Sequence, residues 1–189
     1  TAIELNSLLD EVGIHLHAMV WLGINCGFGN ADCGRMPLTA VSFDESVVDF
    51  PRPKTAVPRR IPLWPETIKA LRRSLSRRPD PGPEAALLFF VTHDGWPWAK
   101  DDSTNPISQQ TTKALQRLGI HRPGMSFYWL RHTFATIGAQ AGDQIAVNAI
   151  MGHVDDSMAA NYRHEIDHRR LCRVVNHVRA WLIGDRADA

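Results

Sequence analysis

At 189 residues, with 44% hydrophobic and 22% charged residues, the chain has the size of one large or two small domains and an ordinary globular composition. Its net charge of +1 excludes a uniformly basic nucleic-acid binder but leaves room for a local basic face. The longest apolar run, around AMVWLGINCGFG, is broken by Asn and Gly and is too short to span a bilayer, and no signal-peptide pattern opens the chain.

Apolar positions at helical spacing (Leu5, Leu8, Leu9, Val12, then Leu16, Met19 and Val20) predict one or two helices over the first 28 or so residues. The chain enters this pattern at once and without an initiator Met, which suggests a piece of a longer protein. NCGFGNADCGRMP, with Gly27, Gly29 and Gly34, reads as a loop or an irregular helix start. In SVVDFPRPKTAVPRRIPL, two short apolar runs flank a turn with Lys54 near its tip, which predicts a β-hairpin. A helix follows in WPETIKALRRSLSRRP, with Pro65 at a first-turn position and Ile68, Leu71 and Leu75 on one face. Its arginines Arg72, Arg73, Arg77 and Arg78 form a solvated face or contact phosphates.

LLFFVTHDGWPW reads as a short strand and a turn, and NPISQQTTKALQRLGI as a helix ending near Gly119. From Phe127 onward helical periodicity dominates, broken at Gly142, at Gly152 and around Asp155. A last helix, HRRLCRVVNHVRAWLI, is expected to stop at Gly184 and leave a polar tail over residues 185–189. Its residues Val178, Trp181, Leu182 and Ile183 either pack on their own domain or dock on a neighbouring protomer. The fold class is therefore α+β, mainly α, a helical bundle with a small antiparallel sheet near the N-terminal part. Three cysteines (Cys26, Cys33 and Cys172) in no C-x-x-C spacing point to a reducing cytoplasm and match no common zinc knuckle.

One set of polar residues stands out from this helical background. Arg131, His153 and Tyr162 follow one another at intervals of 22 and 9 residues, with the hairpin Lys54 upstream. A tyrosine is a nucleophile, and Arg, Lys and His supply charge neutralisation and proton transfer to phosphoryl chemistry. No carboxylate cluster calls for Mg²⁺, and no phosphate-binding G-x-x-x-x-G-K-[ST] motif is present.

LRHTFAT, IMGH and NYRHEI in this order, with KTAVPRRIPL as a β-hairpin, resemble the signature of the tyrosine recombinase or phage integrase family over roughly residues 10–183. The resemblance implies the family's catalytic-domain fold over residues 1–184, with a separate N-terminal DNA-clamping domain outside this chain. It also implies site-specific recombination of double-stranded DNA without metal or cofactor, by four full-length protomers. Carried over, Tyr162 attacks the scissile phosphate to give a 3′-phosphotyrosyl link and a free 5′-hydroxyl. Arg131 holds the non-bridging oxygens, His153 hydrogen-bonds the phosphate or assists proton transfer, and Lys54 protonates the departing 5′-oxygen.

Two departures matter. In NCGFGNAD, Gly29 stands where the family has its first Arg, with Asp32 in the place of the acidic residue after it. Tyr128 occupies a position that is usually His or Lys, three residues before Arg131. Loss of one preorganised donor costs about 10²–10³ in rate, which makes a catalytically impaired DNA-binding relative the alternative function. Arg35, Arg52, Arg59 and Arg60 are the other cations that could compensate, as could an anion nest of GFGN backbone amides.

Overall fold

The computed structural model describes residues 1–99, 105–154 and 166–187, the side chains of 185–187 excepted. Tyr162 lies outside the described residues.

The N-terminal periodicity resolves into α1 (Ala2–Glu11) and α2 (Ile14–Cys26). Thr1 caps α1 reciprocally with Glu4, the sequence signature of a capping box. Helix α2 is apolar around nearly its whole circumference, and Leu16 and every residue from Ala18 to Cys26 are buried. A helix of that kind belongs at the centre of a domain. It packs against α4 (Pro65–Leu75), α6 (Tyr128–Ala139) and α8 (His168–Ala187), and also against α5 (Pro106–Arg117). The approach to α6 is close: a Cβ on Gly23 would lie 2.7 Å from Leu130 Cδ1. Asn25, fully buried, donates to the Pro62 carbonyl and accepts from Trp64 N and Thr67 Oγ1, tying α2 to the sheet and to α4.

Three short antiparallel strands, β1 (Val41–Ser42), β2 (Val47–Asp49) and β3 (Arg60–Pro62), form a sheet in that order. The register places Val41, Val48 and Ile61 side by side across it, and all three are buried. The β2–β3 hairpin continues beyond its ladder through Phe50 N to Arg59 O and Arg52 N to Val57 O, and Lys54 sits in the turn. The α+β, mainly helical expectation therefore holds.

Two local expectations are corrected. Leu87–Trp98 forms no strand, only isolated bridges from Leu88 to Pro37 and from Val91 to Pro97. Phe89, Phe90 and Val91 are all buried, so the segment has no solvent-facing alternation to define a sheet edge. The last helix continues past Gly184 to Ala187, because Gly184 does not take the left-handed conformation that would end it. Of the two alternatives for the last helix, packing on its own domain is the one observed: Val178 and Leu182 are buried in the core and the partly buried Trp181 and Ile183 pack against it.

The arginines of the last turn of α4 and of the residues after it divide. Arg78 donates to the carbonyls of Leu88, Ala85 and Ala86 and is a clamp for the following loop, while Arg72 lies over the Phe43 ring. Arg73 and Arg77 stay exposed. Among the described residues, no helix is long and apolar enough to cross a membrane.

Candidate active site

Helix α7 (Gln144–Met151) builds the centre of the site through the way it ends. Gly152 adopts φ 63°, a left-handed conformation that glycine takes without steric cost. His153 N then bonds Asn148 O at 2.9 Å and Gly152 N bonds Ala149 O at 3.0 Å, the double bond pattern of a Schellman cap. The cap turns His153 out to solvent and leaves two consecutive carbonyls, Met151 O and Gly152 O, free for side chains from elsewhere in the chain.

Arg131 takes the first of these. It is only 2% exposed, with Nη2 donating to Met151 O at 2.7 Å and Nη1 to Gly27 O at 2.6 Å. Gly27 is the left-handed C-cap of α2, so one guanidinium joins the ends of α2 and α7. Two of its five N–H groups are committed this way. Burial and the neighbouring Arg52 charge pull the Arg131 pKa down. The Asp143 carboxylate caps α7 and binds Arg170 at 2.6 and 2.7 Å.

Gly152 O accepts from Thr55 Oγ1 at 3.0 Å and from Arg52 Nη1 at 3.3 Å. These bonds fasten the hairpin turn to the Gly152–His153 corner and bring Lys54, exposed beside Thr55, to the same side of the domain. Loss of part of its water shell lowers the His153 pKa, as do the charges of Arg131 and Arg52. The imidazole is therefore neutral over more of the physiological range than an ordinary histidine.

Gly29 begins α3 (Asn30–Arg35). Its N–H donates to Asp32 Oδ2 at 2.7 Å, and Asp32 Oδ1 accepts from Arg59 Nη2 at 2.6 Å in a buried ion pair. The Arg59 guanidinium also lies over Phe28, 4.6 Å from the ring centre, and its Nε donates to Phe50 O. Its Nη1 is buried with no hydrogen-bond partner among the described residues. Tyr128, 40% exposed, lies against Gly29: a Cβ there would sit 3.4 Å from the Tyr128 ring. Its ring meets His132 edge-on at 5.0 Å.

The structure thus brings Arg131, His153 and the turn carrying Lys54 to one corner and places Tyr128 over Gly29, one residue beyond Phe28 and two beyond the Gly27 carbonyl that Arg131 binds. Of the four compensating cations, Arg60 is turned away to Glu45 and Asp49, and Arg35 is exposed at the far end of α3. Arg52 and Arg59 reach the site. The sequence does not separate Arg52, Arg59 and Arg60, since it gives no register for the hairpin. Cys26 and Cys33 are buried and their thiols are pushed up by burial. Among the described residues, no group of three His, Cys, Asp or Glu side chains could hold a metal ion.

The phage integrase family model matches residues 2–169. The chain belongs to that family. Solved structures with the same fold include the XerA recombinase, at 20% identity and TM-score 0.68, covering 98% of this chain and 64% of that one. The integrase of mycobacterium phage Brujita matches at 16% identity and TM-score 0.59, covering 92% of this chain and 62% of its own. A lambda integrase tetramer bound to a Holliday junction matches at 18% identity and TM-score 0.60, covering 89% and 48%. This family member therefore spans less than two thirds of the length of these relatives. No curated protein matches the sequence.

Proposed function

We propose that the chain is the catalytic domain of a tyrosine recombinase, cutting and rejoining double-stranded DNA at specific sites through a 3′-phosphotyrosyl intermediate on Tyr162. The observation that carries this reading is the convergence of Arg131, His153 and the Lys54 turn on the two carbonyls that end α7. In the proposed reaction Tyr162 Oη attacks phosphorus and the bond to the 5′-oxygen breaks. Arg131 and its neighbours neutralise charge on the non-bridging oxygens, for which a guanidinium fork is well shaped. Neutral His153 hydrogen-bonds the phosphate or takes the tyrosine proton, and Lys54 protonates the leaving 5′-oxygen. Tyr128 flanks the phosphate-binding corner. The phosphotyrosyl bond conserves the energy of the broken phosphodiester, so religation needs no cofactor.

The tetramer that lambda integrase forms on a Holliday junction supports the proposal that full-length protomers of this protein act as four on DNA; a clamping domain N-terminal to this one is part of the same proposal. A second reading is favoured by one specific observation: Gly29 offers no side chain where the family has an Arg, and the Arg131 terminal nitrogens already bind carbonyl oxygens. On that reading the chain binds DNA without cutting it.

The test is covalent capture. The protein is incubated with supercoiled and nicked DNA in a chelator, quenched in detergent, and the DNA-linked fraction is counted beside Tyr162→Phe and Gly29→Arg. Strand cleavage predicts an adduct that Tyr162→Phe abolishes. An adduct from Gly29→Arg alone, or from neither, supports the second reading for the natural chain.

A further inference from the structure

Three guanidinium groups meet at the end of α7. Arg131 and Arg52 bind the consecutive carbonyls of Met151 and Gly152, and Arg59 lies alongside. Their closeness depends on Gly152, where a Cβ would stand 2.9 Å from both Arg52 Cβ and Arg59 Cδ. Among the described residues whose charges act on Arg131, one carboxylate, Asp32, offsets these cations, and it is paired with Arg59. Three like charges against one carboxylate repel one another, and a partly dry setting magnifies the repulsion. A bound anion removes that cost.

The three are not equivalent. The Arg59 side chain has 0% exposure and is fixed by Asp32, Phe50 O and the Phe28 ring, so its charge adds to the field without reaching a ligand. Arg52 is half-buried and its described hydrogen bond is a long one, 3.3 Å to Gly152 O. It therefore has open surface and N–H groups to offer, two residues before Lys54 and beside His153.

We propose that Arg52 supplies the second guanidinium to the DNA phosphate that Arg131 holds, in place of the side chain missing at Gly29, with Arg59 as a positioning residue. The assignment rests on the strand-cleavage reading for its DNA ligand. Its geometry requires only that the corner binds a phosphate. Arg131 and Arg52, fixed to adjacent carbonyls, form a two-pronged clamp. The Asp32–Arg59 pair holds α3 and the hairpin so that the Arg52 turn stays on Gly152.

The test titrates inorganic phosphate into the 189-residue chain, following the His153 ring signals by NMR. Arg52→Gln, Arg52→Lys and the remote control Arg73→Gln are compared, each checked for folding by circular dichroism. Loss of one charge-assisted contact predicts about tenfold weaker phosphate binding in Arg52→Gln, an intermediate loss in Arg52→Lys and no change in Arg73→Gln. Equal affinity in Arg52→Gln and the natural chain overturns the proposal, as does an equal loss in Arg73→Gln or an absence of phosphate binding altogether. Covalent capture on nicked DNA is read separately. An adduct that forms equally well in Arg52→Gln sinks the role of Arg52 and spares strand cleavage. Phosphate binding that weakens in Arg52→Gln, without any adduct from the natural chain, sinks strand cleavage and spares the phosphate clamp.

Discussion

Asp32→Ala is the perturbation that most directly probes how the site is held. The carboxylate accepts from Gly29 N at 2.7 Å and from Arg59 Nη2 at 2.6 Å, with 7% and 0% of the two side chains exposed. Removing it leaves the Arg59 guanidinium inside the protein with the Phe50 carbonyl and two aromatic faces as its company. Breaking a buried pair from one side costs about 3–5 kcal/mol, because the remaining charge stays desolvated. The Gly29 N–H at the start of α3 also loses its acceptor, the N3 carboxylate that reaches back to it, worth about 1 kcal/mol. Against a typical domain stability of about 5–15 kcal/mol, this is a large fraction. Urea unfolding followed by circular dichroism should show a loss of about 4–6 kcal/mol in Asp32→Ala, from the pair and the Gly29 bond together. In Asp32→Ala/Arg59→Met, where neither charge remains, the loss should be clearly smaller than the sum of the single changes. A cost under about 1 kcal/mol, or strict additivity, would refute the picture of a desolvated pair joining α3 to the hairpin.

Gly152→Ala should lower stability by about 1–3 kcal/mol, since φ 63° is strained for an alanine and its Cβ meets Arg52 and Arg59 at 2.9 Å; a thermal melt unchanged from the natural chain would contradict this. His153 should titrate below the ordinary histidine value of 6.5, and Arg52→Gln should move it back upward, both read by NMR. By linkage, the folded state resists protonation, so this group costs stability as pH falls below 6.5 and the full cost is reached below its folded pKa. A titration at or above 6.5 in the natural chain would contradict the crowding of positive charge at this corner.

The parts of the site that sequence made legible are those written locally. The LRHTFAT helix, the Gly that caps α7 before His153 and the hairpin around Lys54 each carry their own backbone signal, and their order along the chain suffices to group them. The fate of the arginines was not legible. Arg59 and Arg60 are neighbours in the chain and point to opposite faces, one into the Asp32 pair and the other to Glu45 and Asp49. A one-residue shift of register would exchange them, and nothing in PRRIPL states the register. Arg78 reads as surface charge until the loop it clamps is seen. The Leu87–Trp98 segment has strand composition, but the consecutive Phe89 and Phe90 are both buried in the core, so burial does not alternate as a pleat would make it. At Gly184, glycine signals a helix end only when the chain turns left-handed there, and here the backbone stays helical through Ala187.

Strand cleavage rests on one covalent event, the joining of a tyrosine of this chain to DNA. The chain has two tyrosines, Tyr128 against Gly29 and Tyr162 beyond the described residues, so the attachment point can be read without ambiguity. The deciding measurement traps the protein on nicked DNA, digests the DNA and the protein, and locates the residual nucleotide by mass spectrometry. The expected product is a 3′-linked nucleotide on the peptide containing Tyr162. A nucleotide on Tyr128 or on any other residue, or no modified peptide at all, would contradict cleavage through Tyr162.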